Sequence, residues 1–385
     1  MQFKDVYVDQ SLKDKLLGLV HSGRIAHAQF FLAQPGSHAL ALAIALGQYL
    51  CCENPTDNDS CGECPSCRQY AGLAHPDLHL YFPNCITENV KKEPESSKLI
   101  NEFRDFAINR NFFVNTNSWV NILKGENKQP SINIRDCSNI LYHNSMRAFQ
   151  NRYKVYILWA ADKLYRDAAP KLLKTLEEPE DKSIFILISE EPDKILNTIL
   201  SRTQLLKIPK LQDSEVADLL LKEFPTMNGD DAADIAIIAD GDYIKAHQIA
   251  TDDEDEAALV EQFGLFFGSA CAMANRRSLA EINYPAVSEA IAAIVAQGRE
   301  QQKQFLVFSL GMLRNILLNN TGNRGVAKVT RGEQTVLDNF AGKLQLKQIS
   351  QIYELCNKAV YHITRNGNAS LVFTDLFFQI AKVAA

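Results

Sequence analysis

The sequence predicts an α/β fold built on a mainly parallel sheet, followed by a small helical domain and an all-helical C-terminal region. Three observations carry that reading. Short runs of β-branched and aromatic residues alternate with amphipathic helical patterns through about residue 207. Strands then cease after "LLKIPKLQDSEVADLL", and everything from 257 to 385 has helical spacing. Strand and helix in alternation produce parallel strands whose crossover helices cover both faces of the sheet.

The first strand candidate is "AQFFLA" (28 to 33), followed by the helical pattern "HALALAIALGQYL". "DLHLYF" (77 to 82), "KVYILWA" (154 to 160) and "SIFILIS" (183 to 189) are the remaining clear strands. "RDAAPKLLKTLEE" is a helix that Pro179 stops. From about 90 to 133 the order loosens into an insertion with one or two helices. Residues 208 to 250 form a helical lid domain ending in "DGDYIKAHQIA". The acidic run Asp252, Asp253, Glu254, Asp255 and Glu256 reads as a solvated linker. Beyond it Phe305, Phe308, Met312 and Ile316 recur at helical spacing, which is a core stripe. The closing "SLVFTDLFFQIAKVAA" is rich enough in Phe to pack against a neighbouring subunit as well.

Composition narrows the function. The 385 residues suffice for two or three domains, and 46% hydrophobic with 22% charged residues is the balance of a water-exposed globular chain. A net charge of −6 argues against a stand-alone nucleic-acid binder, because phosphate affinity comes from Lys and Arg. It leaves room for a subunit that meets DNA inside a larger assembly. The N-terminal segment has no signal-like apolar core and no later run approaches a membrane span, so the expected location is the cytoplasm.

"FFLAQPGSHALALAIALGQYLCC", residues 30 to 52, has the layout of a phosphate-binding loop: apolar strand, Gly turn, apolar helix. In the frame GxxxxGK[ST], backbone N–H groups cradle phosphates, Lys neutralises them and a hydroxyl holds Mg²⁺. Here the eight positions run from Ala33 to Leu40. Gly36 keeps a turn, but Ala33 and His38 replace the flanking glycines, Ala39 the lysine and Leu40 the hydroxyl. The plain reading is an ordinary strand-turn-helix; the sharper one is an ATPase fold that no longer holds ATP.

"CCENPTDNDSCGECPSCRQ" contains Cys51, Cys52, Cys61, Cys64 and Cys67. An odd total of nine cysteines cannot all pair as disulfides, and two overlapping C-x2-C steps point to metal. Four thiolates favour Zn²⁺, and a site with all four ligands supplied by protein is closed, hence structural. The polar loop before Cys61 swings back to deliver the first ligand, either Cys51 or Cys52. Cys85, Cys137, Cys271 and Cys356 are scattered core residues.

A helix, this cysteine module and then "AHPDLHLYFP" directly after a P-loop position resemble the clamp-loader subunits of bacterial DNA polymerase III, the γ/τ and δ′ proteins. "GRIAHAQFFLAQPG" resembles their strand into the P-loop, and "RYKVYILWAADKLYRDAAPKLLKTLEEPEDKSIFILISEEPDKILNTILSRTQLLKI" their second half. The resemblance covers residues 10 to 210 and then rests on domain order. It implies an AAA+ domain over 1–207 with the zinc module (51–67), a lid over 208–250 and a helical collar over 257–385 that joins five subunits. It also favours Cys52 over Cys51, giving Cys52, Cys61, Cys64 and Cys67 as the zinc ligands.

Within that family the γ/τ members hydrolyse ATP and the δ′ members have generally lost the ability. At the Walker B position Trp159 and Ala160 replace the acidic pair, which removes the carboxylates that hold Mg²⁺ and orient water. Asp162, two residues on, would face elsewhere. Ser189 stands at the sensor Thr/Asn position, and Ile244, beside Lys245, at the lid's sensor arginine. These losses sort the chain with the δ′ members, with no ATP expected. One charged motif persists: Ser201, Arg202 and Thr203 resemble the family's Ser-Arg-Cys motif, whose arginine reaches the ATP of a neighbouring γ/τ subunit. An always-charged, forked guanidinium suits that task. Lys174, Glu177 and Glu178 before Pro179 are read as structural. The implied partners are γ/τ and δ subunits, the sliding clamp and primer-template DNA within the complex, and no membrane.

Overall fold

The computed structural model describes every residue except 89, 124–129, 150, 151, 166, 252, 253, 275–283 and 322–328. The chain divides into two units, Met1–Ala236 with Gly241–Lys245, and Ile237–Asp240 with Ala246–Ala385. In chain order the first holds α1 (Gln10–His21), β1 (Ala28–Ala33), α2 (Ala39–Cys51), α3 (Pro65–Ala71), β2 (Leu78–Tyr81), α4 (Ile100–Asn109), α5 (Thr116–Leu123) and α6 (Ile134–Ser145). It continues with β3 (Lys154–Trp159), α7 (Ala169–Glu177), β4 (Ser183–Ser189), α8 (Asn197–Leu200), β5 (Gln204–Ile208) and α9 (Asp213–Glu223). α10 (Gly229–Ala239) and α11 (Tyr243–Ala250) lie at the division between the units.

The five strands form one sheet in the order β2-β3-β4-β1-β5, with every neighbouring pair parallel. Side chains alternate between two cores, as a pleated strand requires. Phe31, Ile157, Ile186 and Leu206 face one core with α1, α2, α4 and α5. Phe30, Tyr156, Phe185 and Leu187 face the other with α6, α7 and α8. The four expected strands are present. β5, which the sequence reading did not single out, is an edge strand: Gln204, Leu205 and Lys207 are exposed and only Leu206 and Ile208 are buried, so its apolar signal is weak. α2 is buried on every side, which accounts for its having no charged residue.

The insertion contributes α4 and α5, with 124–129 outside the described residues. Phe103 stacks on Phe82 with ring centroids 4.0 Å apart, and Trp119 packs edge-on to both. The Trp119 indole donates to the Pro83 carbonyl at 2.7 Å, which satisfies its one polar atom in the core.

The second unit holds α12 (Glu254–Ala274), α13 (Tyr284–Val295), α14 (Arg299–Asn320), α15 (Arg331–Phe340), α16 (Leu346–Thr364) and α17 (Ala369–Ala384). Phe305, Met312 and Ile316 are buried in its core, and Phe308 packs partly buried against it. Residues 257–274 of α12 are long and apolar enough to cross a membrane by length and composition. Phe263, Phe266 and Phe267 are buried, with Phe266 5.8 Å from Phe305 and 5.4 Å from Phe377, so one face of α12 packs in the helical core, while its length and apolar character correct the expectation that no run approaches a membrane span. Of the acidic run, Asp252 and Asp253 lie outside the described residues, while Glu254 opens α12.

Candidate functional site

The turn between β1 and α2 is fastened by its own chain. Gly36 is left-handed (φ 72°), and Ser37 N–H returns to the Gln34 carbonyl at 3.0 Å. A Cβ on Gly36 would fall inside the envelope of Asp242 Cα and Oδ1. Asp242 caps the start of α11, its Oδ1 accepting from Ile244 N–H at 3.0 Å and Lys245 N–H at 3.2 Å. Gly36 is thus needed for close approach of the chain at Asp242.

His38 is fully buried at the start of α2. Its Nδ1 accepts from Tyr7 N–H at 3.1 Å, which puts the proton on Nε2, donated to the Asn111 carbonyl at 2.7 Å. Burial pushes its pKa down to about 4, so the ring is neutral. Phe113 stacks on it at 4.1 Å, presented by the left-handed pair Asn111 and Phe112 (φ 45° and 64°). Ala39 and Leu40 are buried in the core.

Trp159 ends β3 with its indole 5.5 Å from Phe103 and 6.2 Å from Phe106, so the insertion packs over the end of this strand. Ala160 is left-handed (φ 54°). Asp162 faces Ser189, whose hydroxyl donates to it at 2.7 Å and accepts from Glu191 N–H at 3.0 Å. Glu190 is exposed as a residue, yet its carboxyl is raised to about 7, first by partial loss of water around it and then by Asp242, Asp162 and Glu191. Burial also raises the Asp242 carboxyl, with Lys245 acting against the shift. Ile244 and Lys245 lie in the first turn of α11.

At the other end of α2 four thiols converge. The Sγ atoms of Cys52, Cys61, Cys64 and Cys67 all lie within 4.8 Å of one another. Cys52–Cys61 is 3.5 Å and Cys61–Cys67 is 3.9 Å. Tetrahedral Zn–S bonds of about 2.3 Å would set sulfurs about 3.8 Å apart, so the set fits the ion. Each C-x2-C turn aims an amide at a sulfur: Cys64 N–H at Cys61 Sγ (3.4 Å) and Cys67 N–H at Cys64 Sγ (3.4 Å). Such donors favour thiolate, and they draw the Cys61 pKa down to about 6, while burial raises Cys52 and Cys67. Cys51 points elsewhere, its Sγ 3.3 Å from Tyr70 Oη and 3.2 Å from the Tyr153 carbonyl. Cys85, Cys137, Cys271 and Cys356 are buried away from the cluster.

The loop between Cys52 and Cys61 is pinned by Asp59, which accepts from Phe3 N–H at 2.9 Å and Lys4 N–H at 3.0 Å. Arg152 donates to the Cys52 carbonyl and, at 3.2 Å, to that of Glu53.

Arg202 lies between α8 and β5, at the sheet edge where strands begin. Its Nε donates to Glu177 Oε1 at 2.6 Å, Nη2 pairs with the same oxygen, and Nη1 donates to the Thr198 carbonyl at 2.8 Å. Ser201 Oγ is 3.4 Å from Nη1, and Thr203 Oγ1 returns to the Leu200 carbonyl at 2.9 Å. Lys174 and Glu177 lie on α7 and Glu178 caps it.

The roles of Asp242, Phe113 and Glu190 escaped sequence reasoning, and His38 reads there only as a replaced glycine. Only Asp242 left a signal, an Asp before a helical run; the others act through contacts distant in the chain.

A family model described as "DNA polymerase III, delta subunit" matches residues 8–212. The delta' subunit of DNA polymerase III from Bacillus subtilis is 26% identical over 209 residues, 54% of this chain and 50% of that protein. The delta' subunit from Escherichia coli is 28% identical over 194 residues, 50% of this chain and 45% of the relative. The tau subunit from Bacillus subtilis is 22% identical over 396 residues, 99% of this chain and 61% of the relative. This chain thus spans about half the length of the curated delta' relatives it matches.

Proposed function

This chain belongs to the DNA polymerase III clamp-loader family, whose delta-subunit model it matches over 8–212, and from that premise we propose that it is a δ′-like AAA+ subunit without ATPase activity of its own. It would act in the cytoplasm within a loader of γ/τ and δ subunits that places the sliding clamp on primed DNA. We further propose the division into an AAA+ domain (1–207), a lid (208–250) and a collar (257–385). Cys52, Cys61, Cys64 and Cys67 would hold a structural Zn²⁺, which would staple the loop between α2 and α3.

The observation that carries the reading is the turn at Gly36. It has no lysine or hydroxyl at Ala39 and Leu40, Asp242 presses against it, and the carboxyl groups of Glu190 and Asp242 interact unfavourably when ionised. A triphosphate would meet repulsion where the family's working sites supply a cation and Mg²⁺. Arg202, by contrast, is about one third exposed at its side chain and keeps a permanent charge. It is suited to act on a neighbour's ATP in trans.

The test is DNA-stimulated ATP hydrolysis by the loader assembled from its γ/τ, δ, clamp and primed-DNA components. The isolated chain should be inert, and Arg202→Ala should assemble but lose on the order of 10³-fold or more if the finger acts as in known nucleotidases. The match to tau along 99% of the chain favours one other reading, a γ/τ-like ATPase with an atypical site. Hydrolysis by the chain alone would establish it in place of ours.

A further inference from the structure

We propose that Glu177 is a positioning residue for Arg202, fixing the guanidinium so that its outer edge faces a neighbouring subunit. This rests on the trans-arginine reading above. A guanidinium has five N–H donors. Glu177 Oε1 takes the Nε–Nη2 side, with Nε at 2.6 Å, and the Thr198 carbonyl takes one donor of Nη1 at 2.8 Å. Among the described residues, what remains is one N–H on Nη2 and one on Nη1, the latter with Ser201 Oγ at 3.4 Å. A guanidinium with a donor left on each Nη can still grip two oxygens of one phosphate.

The two holding groups come from elements that are themselves anchored. Glu177 is the last residue of α7, whose Leu172 and Leu176 are buried under the sheet, and Thr198 lies on α8, held by buried Ile199. The side chains of Arg202 and Glu177 are 35% and 45% exposed, so the pair is reachable by a partner and contributes little to folding. An arginine without this brace would sample many rotamers, and a small misplacement of a catalytic group has a large kinetic cost. The "LLKTLEEPE" stretch thereby acquires a purpose that its place on a helix end did not suggest.

The experiment uses the full assembled loader and compares wild type, Glu177→Gln, Arg202→Ala and the double variant, with assembly followed by gel filtration. Glu177→Gln should assemble normally and lose about tenfold in kcat with KM for ATP little changed. The double variant should be no slower than Arg202→Ala, because a residue that acts only through Arg202 has nothing left to position. A wild-type rate for Glu177→Gln would overturn the inference, as would losses that multiply in the double variant or failure of Glu177→Gln to assemble. A wild-type rate for Arg202→Ala would overturn the arginine reading itself and the inference with it.

Discussion

The two ends of α2 carry the two motifs that stand out in the sequence, and the fold treats them in opposite ways. At the N-terminal end, the P-loop-like turn has its groups tied to the chain: His38 is held by Tyr7 and Asn111, and Gly36 lies under Asp242. At the C-terminal end, Cys52, Cys61, Cys64 and Cys67 bring four sulfurs within 4.8 Å of one another. Four thiolates held this close repel one another, and a bound cation would neutralise them. A motif remains open to a ligand when its donors converge on shared space, and closes when each finds its own internal partner.

The strongest way to break the comparison is to empty the cysteine end. Chelation, or Cys64→Ser, should release one metal ion per chain by mass spectrometry and lower the thermal midpoint by about 10 °C or more, since structural zinc binding is folding free energy. Cys51→Ala sharpens the result. Its sulfur serves Tyr70 and Tyr153, so metal content should stay at the wild-type value despite the neighbouring position. Loss of metal in that variant would reassign the first ligand.

At the other end, Gly36→Ala should cost about 1–3 kcal/mol from left-handed strain alone, with the Asp242 clash added, measured by urea unfolding. His38→Leu should follow at about 1–2 kcal/mol, because it strands the half-buried Tyr7 N–H and the Asn111 carbonyl. Neither variant should change metal content. If Gly36→Ala were neutral, the close approach of Asp242 would not be what requires a glycine in this turn.

Much of this was legible in advance, and the reasons differ by residue. β1, β3 and β4 announced themselves because strands buried on both faces are continuous apolar runs, whereas β5 did not because only Leu206 and Ile208 face a core. The cysteine cluster was legible because its ligands lie close in sequence, so spacing constrains geometry. The fastening of the P-loop turn was hidden because Gly36 and Asp242 are distant in the chain. Asn111 and Phe113, which hold His38, come from an insertion whose loose pattern gave no register. Glu177 was visible on its helix, but its partner Arg202 belongs to another element, and periodicity is blind to such pairs.

The smallest effect expected tests the charge at the N-terminal end of α2. Glu190 is exposed as a residue, yet partial loss of water, with Asp242, Asp162 and Glu191, raises its carboxyl to about 7, above the 4.5 of an ordinary glutamate. A carboxyl that holds its proton more tightly when folded favours the fold at low pH. That contribution is fully present below about pH 4.5 and is lost as pH rises through about 7, since the unfolded chain then gives up its proton first. Glu190→Gln, which has no proton to lose, should therefore melt higher than wild type at pH 8, and the difference should close as pH falls towards 4.5. The same variant should leave the metal in the cysteine cluster untouched, because Glu190 acts only at the opposite end of α2. A wild-type melting profile across that range would mean that the carboxylates around Gly36 do not repel one another, and the electrostatic ground for excluding phosphate from the turn would be withdrawn.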